Sequence, residues 1–141
     1  MLTPLPNKYT PSSPIKGKAI SIRQPWAWAI FHGKPVENRT WYSNYRGPLW
    51  IHASKTFDYE GYQWMWKNID RLGLFMLPAL KRLPVKAIIG RVNMVDCVKE
   101  YDSPWFSGPY GHVYEDPILL SEPIPYKGQL RIFNVDIPIS K

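Results

Sequence analysis

Proline decides which stretches of this chain can become regular structure. Pro4, Pro6, Pro11 and Pro14 fall within residues 1–16 among serines and threonines, a composition that favours extended, polyproline-like chain over a packed element. Residues 1–16 therefore read as an arm and residues 17–141 as the folded unit. Pro25 suits the first position of a helix, where a missing N–H costs no hydrogen bond, and Gly33 suits its end; together they predict a helix over 25–32. Pro78 and Pro84 exclude a long helix around LPALKRLP. Pro104 and Pro109, with Gly108 and Gly111, turn the acidic stretch 99–117 into a long loop. Pro123 and Pro125 confine a strand over 118–125 to a sheet edge or a strand end.

Between these breaks the hydrophobic pattern supplies short strands. Lys18 to Ile22 is partly β-branched, and Val36 to Trp41 alternates so that Glu37, Arg39 and Trp41 share one face. After a turn at 45–48, Leu49 to Ser54 alternates again, with Trp50, His52 and Ser54 together. So short a connection makes these last two segments antiparallel neighbours. Lys55 to Leu72 reads as the long helix, with Asp58 early, apolar residues at helical spacing, and Gly73 closing it. Lys86 to Val98 is a nearly continuous apolar run with Gly90 as a bulge, the expected central strand, and Leu130 to Ile137 is the last. Five or six strands and two main helices without a βαβ series predict an α+β fold built on a small, mostly antiparallel barrel. A chain of 141 residues needs one core, and burying roughly two thirds of its unfolded surface suffices to hold it.

The charge is local. Seven basic residues between Lys16 and Lys55 face a single acid, Glu37, and account for nearly all of the chain's net +7. Tryptophan and tyrosine alternate with them in the run SIRQPWAWAIFHGKPVENRTWYSNYRGPLWIHASK. Cations attract phosphate and flat rings stack on bases, so the run suits single-stranded nucleic acid. The lone Cys97 lies in an apolar segment and reads as a buried structural thiol, while His32, His52 and His112 lack the spacing of a zinc site. Neither metal nor cofactor is expected. The first residues show no secretory pattern and no segment approaches the ~20 apolar residues of a membrane span, which predicts a cytoplasmic protein.

Residues 19–55, together with KAIIGRVNMVDC, SPWFSGPYG and PIPYKGQLRIF, resemble the ASCH domain family, relatives of PUA domains. The family's G-x-K-x-x-E-x-R signature is matched by Lys34, Glu37 and Arg39, with His32 in place of the first glycine and Gly33 one position later. The resemblance implies a PUA-like barrel with a basic cleft for RNA, and some members are hydrolases or nucleases. Those that deacetylate N4-acetylcytidine use a threonine where this chain has Glu37.

Read from the residues, Lys34, Glu37 and Arg39 converge on one cleft, with the cations for phosphate and the carboxylate for a base amino group. Arg23 and Gln24 precede the first helix and join them; Gln24 has a capping role as its alternative. Trp26, Trp41 and Trp105 are stacking candidates, beside Phe106 on the same loop as Trp105, and core packing is the competing role for Trp26. His52, Ser54 and Lys55 complete the candidate set, although a surface histidine and a helix-capping serine are the simpler account of His52 and Ser54. The leading expectation is binding of single-stranded RNA or a modified nucleotide. The alternatives are a hydrolase or ribonuclease using Lys34 and Glu37 as acid and base, and an adaptor that engages protein through the arm.

Overall fold

The computed structural model describes residues 7–138, within which seven strands and two helices follow one another along the chain. The strands are β1 (Asn7–Tyr9), β2 (Ile15–Gln24), β3 (Val36–Arg39), β4 (Gly47–Phe57), β5 (Ala87–Val98), β6 (Tyr110–Pro125) and β7 (Ile132–Ile137), with α1 (Trp26–Ile30) and α2 (Tyr59–Lys67) between them. The sheet runs β1-β6-β5-β4-β2-β7, and β3 pairs with β6 beside this path. Two pairings, β1 with β6 and β2 with β4, are parallel, and the other four are antiparallel. Among the described residues β1 and β7 do not pair, so the expected barrel is an open mixed sheet and the fold is a small α+β domain. The arm prediction falls partly outside the described residues; within them Asn7–Tyr9 pairs with Ile118–Leu120, and Ile15 is buried at the start of β2.

The expected pairing of the 36–41 and 49–54 segments does not form. β4 is buried from Leu49 to Ala53, so its two edges are taken by the apolar strands β2 and β5. The polar β3 docks instead on β6, with Glu37 opposite His112. The long helix also begins later and ends earlier than its periodicity predicted. Residues 55–57 continue β4, with Phe57 beside Gln24, and Asp58 starts α2 by accepting a hydrogen bond from the Gly61 N–H. Asn68 caps α2, beyond which the chain continues in turns to Gly73.

β6 resumes at Tyr110, which shortens the expected loop to residues 99–109. β1 covers Ile118–Leu120, so that part of β6 is no edge, and Pro123 and Pro125 stand at its end. Gly90 does mark a bulge, since both neighbours of β5 slip register there. A methyl at this position would lie 2.6 Å from the Phe31 ring, so the missing side chain is what lets the exit of α1 seat on the sheet. Cys97 is buried and accepts from the Ser43 N–H.

Packing divides the interior. One cluster joins Phe31 and Ile30 to Leu49, Ile51 and Met94 across the sheet. A second gathers Met65, Trp105, Val36 and Val113, with Trp26 and Trp64 at its margin. A cleft opens along that margin.

Candidate functional site

Glu37 is almost fully buried, and an isolated carboxylate cannot remain ionised there without partners. The turn after α1 brings Lys34 to it, and the Lys34 ammonium, itself 2% exposed, donates to Glu37 Oε1 at 2.7 Å and to the Val36 carbonyl at 2.6 Å. Arg39 lies two residues further along β3, hence on the same face. Its Nη2 lies 3.2 Å from Glu37 Oε2 and donates to the Ser21 carbonyl at 2.9 Å. Burial works to raise the Glu37 pKa, but the charges of Lys34 and Arg39 outweigh it and hold the carboxyl below its usual range. Burial pushes the Lys34 ammonium down, opposed by the Glu37 charge. The resulting +/−/+ cluster forms a rigid floor. Three polar atoms, Arg39 Nε, His112 Nδ1 and Tyr114 OH, are buried without a hydrogen-bond partner in the protein; β3–β6 pairing puts their side chains on the Glu37 face.

Above this floor three tryptophans touch. Trp26 lies 6.0 Å from Trp64 and 6.5 Å from Trp105, with Trp64 6.3 Å from Trp105, and all three line a cleft of about 940 Å³. The Lys34 ammonium lies 5.5 Å from the Trp26 ring centroid, so this ring joins the wall to the ionic floor. Asp58 sets the ring's angle. Its Oδ2 accepts from Trp26 Nε1–H at 2.8 Å while Oδ1 caps α2 through the Gly61 N–H. Gly61 has no space for a side chain, because a Cβ would meet the Trp26 ring at 2.5 Å. Burial raises the Asp58 pKa less than these two donors and Arg23 lower it, so the carboxyl sits below its ordinary value.

Two loops and one end of β2 complete the cleft. The loop 99–109 is pinned by Asn38, whose Nδ2 donates to the Trp105 carbonyl and whose Oδ1 accepts from the Ser107 and Gly108 N–H groups. On the other side Gln129, Leu130 and Arg131 enter from the β6–β7 connection. Arg23, Arg39, Arg71 and Arg131 supply guanidinium groups around the opening, and Glu60 and Asp58 are acids there.

Of the residues singled out from sequence, Arg23, Trp26, Lys34, Glu37, Arg39, Ser54, Trp105 and Phe106 line this cleft. The others lie elsewhere. Gln24 is wholly buried and structural, accepting from the Trp28 N–H through Oε1 and donating to the Pro84 carbonyl through Nε2. Trp41 lies past the end of β3, edge-on to His112 and with the Arg131 guanidinium 5.0 Å from its ring. His52 is buried with both ring nitrogens engaged, and Lys55 is exposed on β4 away from the cleft. Ser21, Asn38, Asp58, Trp64, Arg71 and Arg131 line the cleft without having been found from sequence. Strand alternation puts Asn38 on the face opposite Glu37, Ser21 belongs to the first expected strand, and the others lie 21 to 94 residues beyond Glu37, so only Asp58, as an early acidic residue of the expected helix, carried a local signal.

No group of three or more metal-binding side chains occurs among the described residues, and no helix among them is long and apolar enough to cross a membrane.

Fold and cleft together define a class: a small α+β domain whose mixed sheet carries a tryptophan-walled, arginine-rimmed cleft over a buried lysine–glutamate–arginine cluster. The ASCH domain family model matches residues 20–129, which includes the three charged residues of the floor, the tryptophan wall and the loop up to Gln129. The chain belongs to the ASCH domain family. It is also similar to activating signal cointegrator 1 of Homo sapiens and of Mus musculus, 26% identical to each over 144 residues and 87% of this chain. The matched part is 23% of the length of these relatives.

Proposed function

We propose that the cleft binds a nucleotide of single-stranded RNA, with the base against the tryptophan wall and the flanking phosphates on the rim arginines. The observation that carries this reading is the juxtaposition of Trp26, Trp64 and Trp105 with Arg23, Arg39, Arg71 and Arg131 around one opening of about 940 Å³, roomy enough for a base and its sugar. Rings supply sequence-tolerant stacking, guanidinium groups supply phosphate contacts, and the floor supplies a fixed pattern of charge. Membership of the ASCH family and a net charge of +7 support the same partner.

A hydrolytic reading draws on one observation, the buried Lys34 with its lowered pKa, because perturbed lysines gather at reactive sites. Against it, Lys34 is committed to Glu37 and the Val36 carbonyl, and no hydroxyl stands at position 37. Binding is the reading we adopt.

The test is the affinity of the protein for an eight-nucleotide single-stranded RNA across a salt series. We expect log K to fall linearly with log salt, and Arg71→Ala to make the slope shallower by about 0.7, the share of one phosphate contact on a single strand. Absence of binding at low salt, or a flat slope, refutes the proposal. Turnover of N4-acetylcytidine that disappears in Lys34→Ala would replace it with the hydrolytic reading.

A further inference from the structure

His52 does not line the cleft, yet its two ring nitrogens connect the cleft's floor to its outer wall. It stands opposite Ser21 in the parallel β2–β4 pair, with Nδ1 2.8 Å from Ser21 Oγ and Nε2 2.7 Å from the Tyr126 carbonyl. A carbonyl only accepts, so Nε2 carries the proton and, in the neutral ring, Nδ1 accepts a hydrogen bond from the Ser21 hydroxyl. Ser21 reaches the floor as well, since its carbonyl accepts from Arg39 Nη2. Tyr126 in turn begins the connection that delivers Gln129, Leu130 and Arg131 to the cleft.

The backbone of that connection lies directly on the Ser21–His52 pair. A Cβ at Gly128 would come 2.5 Å from Ser21 Oγ and 2.7 Å from His52 Cε1, so no other residue seats there without displacing the loop. Beyond it Leu130 is 91% exposed at the cleft, and Arg131 adopts a left-handed φ of 56° with its guanidinium over Trp41. Leu130, so exposed, adds little packing to hold this stretch, and Arg131 adds its contact with Trp41.

We infer that the chain Ser21–His52–Tyr126 is a positioning device, and that His52 holds residues 127–131 as the outer wall of the cleft at a set distance from the Glu37–Arg39 floor. This inference rests on the nucleotide-binding reading for its consequence and on the loop geometry for its substance. His52 is a positioning residue and touches no ligand.

Lys127 and Arg131 bracket the loop, so trypsin reports its seating without any ligand. In limited proteolysis of the folded protein we expect His52→Ala and Gly128→Ala to speed cleavage after Lys127 by about tenfold, the effect of losing roughly one net hydrogen bond's worth of local stability. His52→Gln, whose side-chain amide still reaches the Tyr126 carbonyl, should stay near wild type. For binding to the same eight-nucleotide RNA, His52→Ala and Arg131→Ala should be strongly non-additive because both act through one loop, whereas His52→Ala and Arg23→Ala should add. Unchanged proteolysis in both His52→Ala and Gly128→Ala, or additivity with Arg131→Ala, overturns the inference. If His52→Ala does not fold, Gly128→Ala carries both comparisons. If the wild type binds no RNA, the binding proposal falls, and the proteolysis of the three variants alone decides whether His52 seats the loop.

Discussion

Glu37→Gln isolates what the buried charge cluster does. The substitution keeps the size and one acceptor oxygen but removes the charge that lies 2.7 Å from the Lys34 ammonium. Lys34 then remains in a site where its side chain is 1% exposed with only neutral acceptors, the Val36 carbonyl and the new amide oxygen, to receive it. Breaking a buried pair in this way costs about 3–5 kcal/mol, a large fraction of the roughly 5–15 kcal/mol that holds a domain folded. At about 3 °C per kcal/mol for a domain of this size, the melting temperature should fall by about 10–15 °C. Arg39 adds little, because it is a quarter exposed and retains the Ser21 carbonyl. The pH dependence carries the diagnosis. Burial depresses the Lys34 pKa, and Glu37→Gln removes the charge that opposes this. The unfolded chain, with an ordinary lysine pKa of about 10.4, then binds more protons than the folded one, so the variant should gain stability as pH rises from 7 to 9. The double variant Lys34→Met/Glu37→Gln, which removes the stranded ammonium, should recover about 1–3 kcal/mol and lose that pH dependence. Urea denaturation at pH 7 and pH 9 measures all of this. A loss under about 1 kcal/mol for Glu37→Gln with no pH trend would show that the floor is not an electrostatic unit.

Three further outcomes follow from the geometry. His32, His52 and His112 all have pKa values lowered first by burial; the unfolded chain therefore takes up protons before the folded one, and the unfolding free energy from urea titration should fall on going from pH 7 to pH 5, by up to about 1.4 kcal/mol per unit of depression for each group. An unfolding free energy unchanged over that window contradicts the assignment of three neutral imidazoles, two of them fully buried. Gly61→Ala forces a methyl into the Trp26 ring, with Asp58 Oδ2 2.7 Å from the new Cβ; it should destabilise by about 1–3 kcal/mol and change the tryptophan fluorescence, and a silent substitution would disprove the tight Trp26–Gly61 seat. Trp64→Ala should weaken binding of single-stranded RNA by the ~1–3 kcal/mol of one stacked base while circular dichroism retains the strand signal; undiminished affinity would exclude this ring from the base-binding wall.

How much of this was legible in the chain follows from the range of the interactions. Strand segments and the start of α1 were readable, because apolar alternation and a proline before a helix act over a few residues, whereas α2 starts four residues later than expected because β4 runs on to Phe57. The run from Arg23 to Arg39 also disclosed the floor, since Lys34, Glu37 and Arg39 are three and two residues apart and period-two geometry puts the last pair on one face. The largest error was one of pairing. A short turn argued for β3 beside β4, but the burial of β4 on both faces gave its edges to β2 and β5 and sent β3 to β6.

Local chemistry was written in the order of the residues: which segments extend, and that a lysine, a glutamate and an arginine stand close together in a basic, aromatic stretch. What those residues meet depended on how distant segments pack. Trp26, Trp64 and Trp105 come from three distant segments and touch because α2 and the loop 99–109 pack together with α1. His52, which shares a strand face with Ser54, was drawn out of the cleft by two hydrogen bonds to residues 31 positions before it and 74 after it. Local propensity is written in neighbouring residues, whereas a cleft is assembled by burial and pairing between segments whose separation along the chain carries no information about their contact.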